Sequence, residues 1–171
     1  ELVNNAIKAN LKRIYFDSKG LDINNPVQYR DGMDTFKEDV FESQNNEILS
    51  SLDGSKYVVR ITFDASGGNI KINVKNNIKI LESELNKIKS RINKAYKYSD
   101  IAEAFTDVLD DSEGAGLGLI MALMLLKNSG LAEESFSINQ DETGTSTSLS
   151  IPYNLTSPES HFKITEEIVN E

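Results

Sequence analysis

The most constraining feature of the sequence is a segment in which closely spaced glycines lead directly into an apolar helix. Residues 113–119 read EGAGLGL, and the continuation LIMALMLLKNSG is apolar on nearly every face until Gly130. A helix of this kind has to be buried by other layers of the fold. Its longest apolar run, residues 117–126, has ten residues, whereas a membrane span needs about 20. We therefore predict a buried helix closed by a glycine cap, in a soluble cytoplasmic domain.

Length, charge and composition limit the kinds of site that the chain can carry. The 171 residues suit a single domain, residues 1–171, and because the first residue is Glu1 rather than methionine we expect flanking domains in a longer protein. The net charge of -9 repels nucleic acids and anionic membranes, so we expect neither as a partner. Without cysteine and with one histidine, His161, thiol catalysis and disulfides are excluded and a histidine-based metal site is disfavoured.

The hydrophobic pattern predicts helices and hairpins in alternation. Helical spacing appears at residues 1–10, 81–95, 101–108 and 118–130, a strand-like run at 12–16, and hairpin patterns at 57–63 with 70–74 and 136–139 with 146–151. The acidic, asparagine-rich stretch from about 17 to 56 is interpreted as a peripheral helical insertion after the first strand, with a small core around Tyr29, Phe36 and Phe41. We predict an α+β fold in which a mixed sheet, containing both 70–74 and 146–151, carries helices on one face.

Gly114, Gly116 and Gly118 are the first candidate ligand-binding residues. Glycines let the backbone approach a ligand, and free amides at a helix N-terminus attract anions, so we expect phosphate as the ligand. The spacing matches neither a dinucleotide fingerprint nor a Walker loop. A flexible hinge before an apolar helix explains the same residues equally well.

Three segments together resemble a known family. Residues 1–9 (ELVNNAIKA), 114–119, and Gly144-Thr145 followed by a strand ending at Pro152 occur in the order and approximate spacing of the ATP-binding domain shared by sensor histidine kinases, anti-sigma-factor serine kinases, type II topoisomerases and certain chaperones. The resemblance covers most of the chain except about 17–56. It implies a two-layer α/β sandwich of the Bergerat type, ATP and Mg²⁺ as ligands, and a protein partner in a signalling pathway.

The resemblance also implies a role for individual residues. Glu1 would be the catalytic residue that orients a water or hydroxyl, Asn5 would hold Mg²⁺, and Lys8 would reach a phosphate. These residues share one helix face because of their spacing, although a solvated flank explains that face as well. The three glycines would cradle the phosphates, and Thr145 would lie beside the adenine, unless it is simply a structural threonine that opens a strand.

The sequence departs from the family after residue 74. Where the family has aspartate, asparagine, glycine, any residue and glycine, this chain has Asn76, Asn77, Ile78, Lys79 and Ile80. An asparagine at position 76 still accepts a hydrogen bond from adenine but loses a charge-assisted bond, a difference of about 1 kcal/mol. The two isoleucines disfavour positive φ and fill space that glycine leaves open. A simple turn at Asn76-Asn77 is the alternative interpretation.

Two functions therefore remain open from the sequence. The first is an ATP-binding, kinase-like signalling domain, and the second is a pseudo-ATPase that keeps the fold as a protein-interaction module. Chance similarity in an unrelated domain is a third possibility.

By resemblance, residues 98–113 would form a lid over the nucleotide. We expect its apolar residues to pack down: Ile101, Ala104, Phe105 and Val108. The acidic residues that precede the glycines, at positions 107, 110, 111 and 113, are interpreted as solvated surface.

Overall fold

A computed structural model describes residues 1–42, 50, 56–109 and 117–153 of the chain. Within these ranges a four-stranded sheet is combined with five α-helices. The helices are α1 (Leu2–Lys19), α2 (Pro26–Lys37), α3 (Glu82–Ala95), α4 (Ile101–Leu109) and α5 (Leu117–Asn128). The strands are β1 (Val59–Ser66), β2 (Asn69–Asn76), β3 (Phe136–Asp141) and β4 (Gly144–Pro152). A π-helical turn, Glu38–Glu42, continues α2, and a short 3₁₀ turn, Glu133–Ser135, precedes β3.

The sheet is wholly antiparallel, in the order β1-β2-β4-β3. The predicted mixed sheet is therefore wrong, whereas the pairing of residues 70–74 with 146–151 is confirmed. Alternation along each strand places apolar side chains on one face of the sheet. These apolar residues are Ile61, Phe63, Ile70, Ile72, Val74, Phe136, Ile138, Leu149 and Ile151. Among the described residues, helices pack on this apolar face, as predicted, and the opposite face carries mostly polar side chains.

The main core lies between this face and the helices α3, α4 and α5. Its buried residues are Ala95, Tyr98, Ala104, Leu119, Ile120, Leu123, Met124 and Phe136. Half of that set belongs to α5, which confirms the predicted buried helix. The helix ends with Gly130 at φ 76°, a left-handed conformation that glycine adopts without strain. Among the described residues, every helix is too short or too polar to cross a membrane.

The strand predicted at residues 12–16 is wrong, because α1 continues through them to Lys19. The short run resembles a strand when it is taken alone, but Leu11 and Tyr15 extend the helical spacing and are both buried. The helix ends at Gly20, whose φ is 66°. The insertion therefore follows a helix rather than a first strand.

The insertion shares its core with the second half of α1. Phe36 and Val40 of the insertion pack against the buried residues Leu11, Tyr15 and Phe16, so the core predicted around Phe36 extends into α1. Of the insertion's other predicted core residues, Tyr29 packs at the edge of this cluster, and Phe41 is 46% exposed with its ring edge-on to that of Phe36. The Tyr15 hydroxyl also hydrogen-bonds Thr35 Oγ1 at 2.6 Å and Asp39 Oδ2 at 2.7 Å.

In the described part of the predicted lid, two residues are buried in the main core, Tyr98 and Ala104. Ala104 of α4 is fully buried in the main core, but Ile101 and Phe105 are 37% and 43% exposed. The expectation that these two apolar residues hold the segment down is therefore wrong. The side chain of Val108, the acidic positions 107 to 113 and His161 lie outside the described side chains.

Candidate functional site

Two of the three motif segments meet where α1 and α5 begin. A Cβ atom built on Gly118 would overlap the carboxyl group of Glu1, so this carboxyl group lies directly against the Gly118 backbone. Any larger residue at position 118 would displace it. Leu2 packs against the main core beside the same helix, which fixes the start of α1 there. Gly114 and Gly116 lie outside the described residues.

Asn5 and Lys8 extend this site along α1. The Asn5 amide donates to the Glu1 carbonyl at 2.9 Å, which closes the first helical turn and sets the spacing of the three side chains. Both Asn5 and Lys8 are exposed. Within the described part of the chain, neither side chain has a hydrogen-bond or ion-pair partner. They are therefore available to an anionic ligand or to its metal ion.

A second pair of predicted residues meets at the far end of β2. Asn76 and Thr145 are direct cross-strand partners, and both are buried. Gly144 has φ 141°, and a Cβ atom there would overlap the backbone oxygen of Asn76. The glycine is therefore required for this close approach of the two strands. In the described residues, the Asn76 side chain makes no hydrogen bond, so its amide is still able to accept one.

The Thr145 hydroxyl is already occupied by the loop that follows β2. It donates to the Ile78 carbonyl at 2.8 Å and accepts from the Ile80 amide at 3.0 Å. Gln140 Oε1 accepts from the same amide at 3.1 Å. A hydroxyl has a single hydrogen to donate, so Thr145 can donate to a ligand only if its bond to Ile78 breaks.

The Asn77 side chain holds the start of this loop. The Asn77 side chain accepts from the Val58 amide and donates to the Lys56 carbonyl, both at 2.7 Å. Residues 77–81, which we call the anchored loop, are therefore joined to the chain that enters β1 as well as to β3 and β4.

A buried charge cluster fixes the end of the anchored loop to α1 and α3. Arg13 donates to the Lys79 carbonyl at 3.3 Å and to Glu84 at 3.4 Å. Glu84 also accepts from Lys12 at 2.5 Å and from the Leu81 amide at 3.3 Å. Glu84 is the third residue of α3 and accepts from the amide of the N-cap residue Leu81, as the glutamate of a capping box does. Because leucine has no side-chain acceptor, the sequence pattern of a capping box is absent here. Arg13 offers no sequence signal either.

The charges of this cluster stabilise one another. Burial acts to raise the pKa of Glu84, but attraction to Lys12, the hydrogen bond with it and the nearby Arg13 outweigh burial, so the pKa of Glu84 is lowered. Burial acts to lower the pKa of Lys12, and the same ion pair overcomes it, so the pKa of Lys12 is raised. Both groups are therefore charged at neutral pH.

One cavity among the described residues lies elsewhere, away from both pairs of predicted residues. It has a volume of about 400 Å³ and opens on the polar face of the sheet. Its lining residues are Thr62, Asp64, Lys71, Asn73, Asn139, Ser146 and Ser148. None of the predicted site residues lines it.

Comparison with known proteins identifies a relative but no family. No family model matches the chain. The chain is 38% identical over 155 residues to an uncharacterized protein of Treponema pallidum (strain Nichols). The match covers 91% of this chain and 30% of that protein, so the chain spans less than a third of its relative's length.

The two groups of predicted residues differ in how many of their polar atoms are already bonded within the chain. At the Glu1 and Gly118 end, the Glu1 carboxyl group lies against the start of α5, and the exposed residues Asn5 and Lys8 follow it along α1. Among the described residues, no group of three or more acidic or histidine side chains is placed to hold a metal ion. A Mg²⁺ ion held by Asn5 would therefore need phosphate oxygens as further ligands. At the other end, the anchored loop uses the hydroxyl of Thr145 for itself.

Proposed function

We propose that this chain is an ATP-binding domain of the histidine-kinase-like ATPase fold, in a signalling protein that acts on a partner protein. The observation that carries the proposal is the contact between the Glu1 carboxyl group and the Gly118 backbone. The cross-strand pairing of Asn76 with Thr145 supports it independently. Chance similarity between short segments gives no reason for these residues to meet in space, whereas a shared nucleotide site requires it.

Each residue has a definite task in this proposal. Asn5 supplies an amide oxygen to Mg²⁺, and Lys8 places a positive charge near the phosphates. The amides at the start of α5 add hydrogen-bond donors and the positive end of a helix dipole. Glu1 orients the water or hydroxyl that attacks the terminal phosphate and accepts its proton. ATP supplies the phosphoryl group, and ADP leaves with the bridging oxygen when the bond to the terminal phosphorus breaks.

Titration calorimetry with ATP tests the proposal, once with Mg²⁺ and once with a chelator. Asn5→Ala should weaken binding in the presence of Mg²⁺ at least tenfold, about 1.4 kcal/mol, and should abolish the difference between the two conditions. Asn4→Ala is the matched control, since Asn4 is an equally exposed asparagine of the same helix turn. Equal losses in the two variants, or no binding under either condition, would contradict the proposal.

A pseudo-ATPase that serves as a protein-interaction module is the second candidate. The observation that favours it is the anchored loop, in which Thr145 bonds to Ile78 and Ile80 rather than remaining free for a base. In this version the fold is kept, and the loop replaces the ligand at the adenine end.

Restoring the two glycines separates the candidates. If Ile78 and Ile80 block the base, wild-type ATP binding should be weaker than about 1 mM, and the double change Ile78→Gly and Ile80→Gly should strengthen it at least tenfold. Lys79→Gly is the control, because it loosens the same loop without removing an isoleucine. Wild-type binding at micromolar concentrations would eliminate the pseudo-ATPase.

A further inference from the structure

The strand β1 is an exposed edge of the sheet. It is the outermost strand in the order β1-β2-β4-β3, and seven of its eight residues, 60–66, are exposed. An edge strand presents unpaired backbone amides and carbonyls, which proteins commonly protect with proline, a bulge or a covering element. The sequence of β1 contains no proline, and β2 is its only strand partner in the described part of the chain.

Two apolar side chains of this edge are uncovered. Ile61 and Phe63 lie on the face of the sheet that carries the helices, yet they are 42% and 72% exposed. The neighbouring Ile70 on β2 is 36% exposed. Adjacent exposed apolar side chains of this size mark an interaction surface.

The sequence of β1 is complementary to itself about Thr62. If two copies pair antiparallel with Thr62 opposite Thr62, Arg60 lies opposite Asp64 of the second copy and Ile61 lies opposite Phe63 of the second copy. The two-fold axis repeats both pairs. Residues directly opposite in an antiparallel pair point to the same face, so the apolar faces of the two sheets become continuous.

Other registers lack this complementarity. A pairing centred on Ile61 places Arg60 opposite Thr62, and one centred on Phe63 places Arg60 opposite Ser66. A pairing centred between two residues sets the apolar face of one sheet against the polar face of the other. Only the register about Thr62 joins opposite charges and keeps the apolar faces together. Arg60 has no ion-pair partner among the described residues.

We propose that β1 is a dimerisation edge, at which two copies of the chain join into a continuous eight-stranded sheet. The interface is isologous, since the same strand serves both copies. Its energy comes from backbone hydrogen bonds, two Arg60–Asp64 ion pairs and burial of Phe63. A single strand pair is a small interface, so the dimer is weak and concentration-dependent. This proposal does not depend on nucleotide binding.

Analytical ultracentrifugation from about 1 μM to about 1 mM protein spans the range of weak association. The wild type should change from monomer to dimer within this range. Arg60→Asp and Asp64→Arg each place like charges opposite one another, so each variant alone should dimerise at least tenfold more weakly. An equimolar mixture of the two variants should associate again, because every cross-strand pair then joins opposite charges.

Lys89→Asp is the matched control, because it makes the same charge change as Arg60→Asp at an exposed position on α3. Its dimerisation should equal that of the wild type. Circular dichroism should establish that the variants are folded, since Asp64→Arg places two cations opposite one another at Lys71 within the chain. A further test needs only the wild type: hydrogen exchange of the amides of residues 59–66 should slow as the protein concentration rises.

Four results would each overturn the proposal. They are a wild-type monomer throughout the concentration range, a mixture that does not associate, equal weakening by Lys89→Asp, and exchange in β1 that is independent of concentration. In the last case, slow exchange at every concentration would mean that another part of the same polypeptide covers the edge of β1. Fast exchange at every concentration would mean that solvent covers it.

Discussion

The two ends of the candidate site differ in how much of their hydrogen bonding is internal. In the anchored loop, Thr145, Arg13 and Glu84 bind the backbone from three different elements. On the flank of α1, the side chains of Asn5 and Lys8 are exposed, with no partner among the described residues. We therefore expect changes at the loop to alter stability, and changes at the flank to alter binding without altering stability.

The largest expected effect is the loss of the carboxylate that joins the loop to two helices. Glu84→Gln leaves Lys12 and Arg13 with a neutral partner in a mostly buried position. We expect the free energy of unfolding to fall by about 2 kcal/mol, less than for a fully buried ion pair. Urea denaturation measures this change.

Glu82→Gln is the control for that experiment. Glu82 belongs to the same first turn of α3 but is exposed, so its change should cost less than about 0.5 kcal/mol. If both variants lose the same amount, the effect comes from the helix dipole rather than from the buried cluster.

Removal of the Thr145 hydroxyl should have the next largest effect. Thr145→Val keeps the shape of the side chain but leaves the Ile78 carbonyl without a donor, so we expect a loss of about 1.5 kcal/mol. Hydrogen exchange at the Ile80 amide should accelerate as well. Thr147→Val, two residues along the same strand and on the same face, should change neither quantity by a comparable amount. Unchanged exchange at Ile80 would mean that Gln140 alone holds that amide.

Only one of the two ends could be predicted from the sequence. The exposed flank follows from spacing within a single helix, and the helices and hairpins follow from local periodicity, so these parts could be predicted. The anchored loop depends on Arg13, which carries no pattern in the sequence, and on Thr145, which the sequence singles out without indicating that its hydroxyl binds Ile78 and Ile80. The strand predicted at residues 12–16 is wrong for a related reason. A five-residue apolar run does not distinguish a strand from one side of a longer helix.

The loop should also make stability depend on pH. The pKa of Glu84 in the folded state lies below its ordinary value of 4.5, so its ionised form contributes stability that is complete above about pH 4.5 and is lost as the pH falls through the folded pKa. The free energy of unfolding should therefore decrease as the pH falls below the ordinary pKa of 4.5 and through the lower pKa of the folded state. Glu84→Gln should show a shallower decrease. Equal slopes would mean that other carboxyl groups carry the whole dependence.

The smallest effect on stability is expected on the flank, where two lysines of α1 provide a matched pair. Lys8 is exposed without a described partner, whereas Lys12, one turn further, is bound to Glu84 and Tyr29. Lys8→Ala should change the free energy of unfolding by less than about 0.5 kcal/mol, and Lys12→Ala should lower it clearly. If the flank binds phosphates, Lys8→Ala should still weaken binding of Mg²⁺-ATP about tenfold, because one positive charge near the phosphates is lost. A stability loss at Lys8 as large as that at Lys12 would remove the distinction between the two ends, since both would then belong to the structural framework.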